Sequence, residues 1–218
     1  MSLLAGLLDS RFAVVEKPIG DFTAELDPEE QPYVARAVER RRLEFSTGRA
    51  CARRALCRLG VSHAALPPGP DRMPIWPIGF IGSIAHTENF CAAAVGRCDD
   101  GLKSVGIDIE PAEPLPDDLL ETVCQGAERD WIERAASGER GLLARAVFCA
   151  KECAFKCQFP VSQTMLDFDE LTVSIDRAQG TFTATFCRDA APFQRGALLR
   201  GHLRIGDRFI VSAMTIEA

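Results

Sequence analysis

Hydrophobic and polar positions alternate most regularly at residues 105–110, VGIDIE. Val105, Ile107 and Ile109 take one face of a strand, and Asp108 and Glu110 the other. The pattern predicts a strand with one face in a core and two carboxylates side by side opposite it. Like charges so placed repel unless something positive lies between them. Alternation also predicts strands in RFAVVEK (11–17), in GFIGSIAHT and FCAAAVGR with a tight turn at Glu88–Asn89, and in four C-terminal segments. Those four are ELTVSID, GTFTATFC, GALLRGHLRI and RFIVSAMTI, the last two joined by a turn at Gly206–Asp207.

Helical spacing runs from Asp27–Pro28 to a stop at Gly60, with a break expected near Ser46–Gly48. Short helices are expected over 117–123 and 126–136. A longer one is expected from about Glu139 to Gln158, ending ahead of Phe159–Pro160. Residues 66–79, with prolines at 67, 68, 70, 74 and 77, read as an extended loop. Helix followed by strands therefore occurs twice. The fold expected is α+β, in two similar halves (1–103 and 104–218), each a helix packed on a small antiparallel sheet and related by pseudo-twofold symmetry. The halves share no sequence repeat strong enough to establish a duplication.

Composition narrows the class. The 218 residues are 47% apolar, which suits a globular chain. The N-terminal apolar run has no basic stretch ahead of it, and no run approaches the ~18–20 residues of a membrane span. A cytoplasmic protein without membrane insertion is expected. Nine cysteines occur without a C-x-x-C pair, which speaks against zinc and thioredoxin-like chemistry. Cys149, Cys153 and Cys157 fall on one helical stripe and read as reduced, small core residues. The net charge is −6, yet eight arginines fall between Arg36 and Arg58 against only Glu39 and Glu44. Such a block is either a local anion site or a solvated helix face, and composition does not separate the two.

A second informative stretch is FCAKECAFK, 148–156. On a helix Lys151, Glu152, Phe155 and Lys156 are expected to share one side. By itself a Glu152–Lys156 pair at i,i+4 is an ordinary surface feature. Combined with Asp108 and Glu110, however, Glu152 makes a set of three hard oxygen ligands suited to Mg²⁺, which completes its shell with water and substrate phosphate. Lys151 and Lys156 add fixed positive charge for phosphate oxygens. Arg49 and Arg53, one helical turn apart, and His86 could hold a further phosphate.

These segments resemble the 4′-phosphopantetheinyl transferase family. Its signature is a G-[IV]-D-x-E strand followed by W/F-x-x-K-E-[AS]-x-x-K on a helix. PIWPIGFIGSIAHT and FSTGRACARRAL are similar to segments of its enterobactin-synthetase-component type, and the length fits the two-halved monomeric class. Phe148, Ala85 and Cys153 depart from the commonest residues at their positions, without touching a charge. The resemblance implies Mg²⁺-dependent transfer of phosphopantetheine from coenzyme A to a serine of an acyl or peptidyl carrier domain, releasing 3′,5′-ADP. Asp108, Glu110 and Glu152 would hold the metal, Glu152 would be the base, and Lys151 and Lys156 would contact phosphate. Arg53 and His86, with Arg49 and Arg72 as further candidates, would anchor the coenzyme's 3′-phosphate. The pathway served would be nonribosomal peptide, polyketide or siderophore synthesis, with fatty-acid synthesis itself left open by the sequence. Two rivals remain: a Mg²⁺-dependent nuclease or nucleotidyl transferase, against which the acidic balance speaks, and a binding module without turnover.

Overall fold

The expected alternation becomes two antiparallel sheets in a computed structural model describing residues 2–218. The first sheet has the order β1-β3-β2, with β1 Ala13–Pro18, β2 Phe80–His86 and β3 Phe90–Arg97. Helix α1, Glu39–Arg58, lies between β1 and β2 in the chain and covers the outer face of this sheet. The second sheet begins with β4, Leu102–Pro111. The chain continues through α2 (Asp117–Val123), α3 (Ala127–Glu133) and α4 (Arg140–Ser162). It then adds β5 (Leu171–Asp176), β6 (Thr181–Phe186), β7 (Leu198–Ile205) and β8 (Phe209–Glu217), in the sheet order β4-β8-β7-β6-β5. Each half thus runs strand, long helix, returning strands, with its last strand beside its first. No helix is long and apolar enough to cross a membrane.

The layers stack as α1, first sheet, second sheet, α4. Between the sheets, Val105, Ile107 and Ile109 pack with Ala85, Ala92 and Ala94 and with Leu4 and Phe12 from the N-terminal segment. The Ile107 N–H donates to Ser83 Oγ at 3.2 Å, tying β4 to β2. The opposite face of β4 meets α4, and the approach is close because Gly106 has no side chain. A Cβ there would lie 2.1 Å from the Cys153 carbonyl oxygen and 2.7 Å from the Cys157 amide nitrogen. Cys149, Cys153 and Cys157 are fully buried at this contact and unoxidised, as their stripe predicts.

Three helix boundaries differ from expectation. α1 begins at Glu39 rather than near Asp27, because Pro28 and Pro32 disfavour helical backbone at the residues before them and leave only short 3₁₀ turns. It is unbroken at Ser46–Gly48. The Thr47 hydroxyl is exchanged with Gly20, and Gly48 brings the helix against Ile84, 3.1 Å from where a Cβ would stand. α4 runs past Pro160 to Ser162. The proline falls in the last turn, where one missing N–H costs little continuity, and Gln163 closes the helix with a left-handed φ of 53°.

Candidate active site

β4 and α4 bring the carboxylates together. Asp108 is 4% exposed. Its Oδ1 accepts from Lys156 Nζ at 2.5 Å, while its Oδ2 is buried with no hydrogen-bond partner. A buried, unpartnered carboxylate oxygen is costly, and it marks a place built for something that the protein chain does not supply. Two positions along the strand, Glu110 Oε2 accepts from Arg145 Nη1 at 2.8 Å. Burial, reinforced by the Asp108 charge and opposed by Arg145, pushes the Glu110 carboxyl up to about 7. Glu152, half-buried on α4, is also raised, by burial first, with Lys156 opposing and Asp108 adding. Burial works against the Lys156 ammonium, but Asp108 and Glu152 more than offset it and hold it charged.

Among the described residues no three such groups converge tightly enough to enclose an ion as they stand. Arg145 and Lys156 draw two of the carboxylates aside. The donor set of Asp108, Glu110 and Glu152 nevertheless fits Mg²⁺, because all are hard oxygens, one has an open lone pair, and two are raised by burial and by the Asp108 charge, both of which a bound cation would offset.

Lys151 does not join this group, contrary to expectation. It is 2% exposed and donates to the Val123 carbonyl at 2.8 Å, to Glu128 Oε2 at 2.8 Å and to the Phe168 carbonyl at 2.7 Å. All three protons are spent tying α4 to α2, α3 and the loop before β5. The physical reason is helical phase: five residues turn the helix by roughly 140° from a whole number of turns, so Lys151 and Lys156 leave different flanks.

α1 sorts its arginines by partner. Arg40 pairs with Glu44 and Glu88, and Arg54 with Glu25. Arg53, expected at the coenzyme's phosphate, instead meets Glu30 at 2.7 Å and Asp27 at 3.5 Å. These acidic neighbours come from the turns that replace the expected start of the helix. Arg49 behaves differently. It lies over the Phe45 ring at 4.3 Å and lines a groove with Arg41, Glu44, Arg72 and His86. Among the described residues Arg41, Arg49 and Arg72 pair with no carboxylate. Burial pulls Arg49 down to about 10, opposed by the Glu30 charge and aided by repulsion from Arg41 and Arg53. His86 is lowered too, chiefly by burial. A half-enclosed groove in which these three arginines make no ion pair, and whose one carboxylate, Glu44, is taken up by Arg40, suits an anion.

Arg72 adopts a left-handed backbone with φ 70°, a strained conformation for a side-chain-bearing residue. It also lines a second cleft, of about 440 Å³, between the halves. Trp76, Ile84, Phe155 and Phe159 give that cleft apolar walls, and Lys156 stands in it. The groove and the cleft share Arg72, and the cleft reaches Lys156, the partner of Asp108; a further hollow joins His86 of the groove to Glu110 and Arg145.

Arg41 and Arg145 escaped the sequence reading. The signal was present in spacing: Arg41, Phe45, Gly48 and Arg49 recur at i, i+4, i+7 and i+8, and Arg145, Glu152 and Lys156 at i, i+7 and i+11.

Two family models match the chain: the 4′-phosphopantetheinyl transferase N-terminal domain over residues 29–96, and the 4′-phosphopantetheinyl transferase superfamily over residues 104–206. The 4′-phosphopantetheinyl transferase Svp of Streptomyces mobaraensis is 40% identical over 224 residues, covering 99% of this chain and 90% of that protein. PptT of Mycobacterium tuberculosis is 39% identical, over 73% of this chain and 69% of its own. Enterobactin synthase component D of Salmonella typhi is more distant, 32% identical over 63% of this chain and 56% of its own. The two models cover both halves, the second taking in the carboxylate strand and its facing helix, and the chain belongs to the two-domain class of 4′-phosphopantetheinyl transferases, enzymes that transfer phosphopantetheine to carrier proteins.

Proposed function

We propose that the chain moves phosphopantetheine from coenzyme A to a serine of an apo acyl or peptidyl carrier domain, in a site formed between halves 1–103 and 104–218. The observation that carries this reading is the unpartnered Asp108 Oδ2 beside Lys156, which stands in the cleft that Arg72 shares with the groove of unpaired arginines.

Arg49, Arg72 and His86, joined by Arg41, anchor the coenzyme's 3′-phosphate. Lys156 neutralises charge on the pyrophosphate oxygens. Asp108, Glu110 and Glu152 hold Mg²⁺, which when bound supplies charge neutralisation and polarisation at the pyrophosphate. Glu152 takes the proton of the serine hydroxyl as the serine oxygen bonds to phosphorus and the bond to 3′,5′-ADP breaks. Its raised affinity for protons favours that role over the role of a permanently ionised carboxylate. Lys151 and Arg53 act at a distance, through Glu128 and Glu30.

The likeness to enterobactin synthase component D in GRACARRAL and PIWPIG supports a role in siderophore, nonribosomal peptide or polyketide synthesis, and we propose a monomer acting in the cytoplasm. Incubation with coenzyme A, Mg²⁺ and apo carrier domains tests the reading by mass spectrometry. A carrier heavier by one phosphopantetheine, only with Mg²⁺ present, is the expected result. An unchanged carrier alongside tight coenzyme A binding would instead identify a binding module.

A further inference from the structure

Arg53 ends at Glu30, and a chain of contacts continues from there into the anion groove. Glu30 is fully buried, at 0% exposure. Arg53 Nη1 reaches both of its carboxylate oxygens at 2.7 Å, and the Asp27 N–H donates to Oε2 at 3.0 Å. Glu30 Oε1 also accepts the Leu66 N–H at 2.8 Å. The carbonyl of that same Leu66 accepts Arg49 Nε at 2.5 Å.

Leu66 is itself at 0% exposure, packed in the core with Cys51, Ala55 and Leu56 of α1. Its peptide unit is therefore a rigid spacer, held at one end by Glu30 and gripping Arg49 at the other. A buried ion pair contributes little net stability, but it fixes geometry. Here the geometry fixed is that of Arg49, whose Nε is spent on Leu66 and whose face lies on Phe45, leaving only its Nη atoms for a ligand. Residues 66–79, which carry Arg72, start from the same anchor.

We propose that Glu30 and Arg53 are positioning residues. Through the Leu66 peptide they aim Arg49, and the start of the loop bearing Arg72, at the coenzyme's 3′-phosphate. They thereby set the enzyme's preference for coenzyme A over 3′-dephospho-coenzyme A. The proposal rests on the reading of the arginine groove as the 3′-phosphate site.

Steady-state kinetics with both donors test it, using the full chain, Mg²⁺ and an apo carrier. The wild type should show a KM for the dephospho donor at least about tenfold higher, the effect expected for losing charge-assisted hydrogen bonds. Glu30→Gln keeps the volume and an acceptor for the Leu66 N–H while weakening the grip of Arg53 and facing an amide to the Asp27 N–H, so its kinetics are read on protein shown to be folded by its melting transition. It should raise the KM for coenzyme A about tenfold, with kcat within about twofold and the KM for the dephospho donor unchanged. Arg53→Gln should do the same, and Arg53→Lys should restore part of the preference. A variant that harms both donors equally, in step with a lowered melting temperature, has lost only a structural contact and overturns the proposal. Variants that keep the wild-type preference overturn it as well while leaving the groove reading intact. A wild type indifferent to the 3′-phosphate overturns the groove reading and the proposal together.

Discussion

At the scale of single residues, two lysines five positions apart do opposite work. Lys151 is the buried partner of Glu128, and Lys156 is the half-exposed partner of Asp108. Lys151→Met leaves Glu128 buried without its cation, a loss of about 3–5 kcal/mol, which in a chain of this size lowers the melting temperature by about 10 °C. Lys156→Met should instead lower kcat by about a hundredfold or more, with the smaller effect on melting. Calorimetry and single-substrate kinetics on the pair check the assignment.

Glu110 gives a second residue-scale expectation, for the protein held in chelator. Its carboxyl titrates near 7 when folded, against an ordinary value of 4.5. A raised folded value means that the folded state prefers the protonated form. The stability this gives is full below about pH 4.5 and is lost as pH rises through about 7. Glu110→Gln should therefore melt close to the wild type at about pH 5 and above it at about pH 8. Magnesium should narrow the gap at the higher pH. An identical difference at both pH values would mean that burial and the Asp108 charge do not hold the Glu110 carboxyl up.

At the scale of elements, the contact of β4 with α4 decides the site. Gly106 is where that contact is closest, so Gly106→Ala forces backbone apart rather than rearranging side chains. It should cost about 3 kcal/mol and abolish activity, read by denaturant unfolding and the carrier-loading assay. The period-2 pattern of VGIDIE made this strand and its carboxylate face legible from sequence. The glycine's role was not legible, because nothing local to β4 announces which helix will cross it. Arg53 shows the same limit. Its spacing from Arg49 correctly placed both on neighbouring turns, but Glu30 and Asp27 claimed it from a segment that sequence reading had folded into the helix. Phase alone could have separated Lys151 from Lys156. The partners that hold Lys151, from α2, α3 and the loop before β5, are distant in sequence and visible only once folded.

At the scale of the whole molecule, the two sheets bind the halves together and the N-terminal segment straps across them. Arg204 on β7 donates to the carbonyls of Leu3 and Ala5, and Arg11 pairs with Glu217 on β8. A donor that touches the arginine groove of one half and Lys156 of the other should act as an additional strap. At a hundredfold its dissociation constant, coenzyme A with Mg²⁺ should add about 2.7 kcal/mol to global stability. At that same concentration either half of the ligand alone, such as 3′,5′-ADP or pantetheine, should add less. Thermal shift measurements with the intact donor and its pieces check this. Equal shifts from a fragment and the whole would place both anchors in one half.

The seam between the sheets is faced on one side by the methyl groups of Ala85, Ala92 and Ala94. Such a close-packed seam leaves little free volume, and the hydrogen bond from the Ile107 N–H to Ser83 Oγ pins the two plates in one register. Arg49 on one plate and Lys156 on the other therefore stand at a set separation, like the jaws of a locked calliper. A donor whose end phosphate stands one bond nearer to or farther from the pyrophosphate should fit that gap less well, and its loss of affinity would read out the stiffness of the seam.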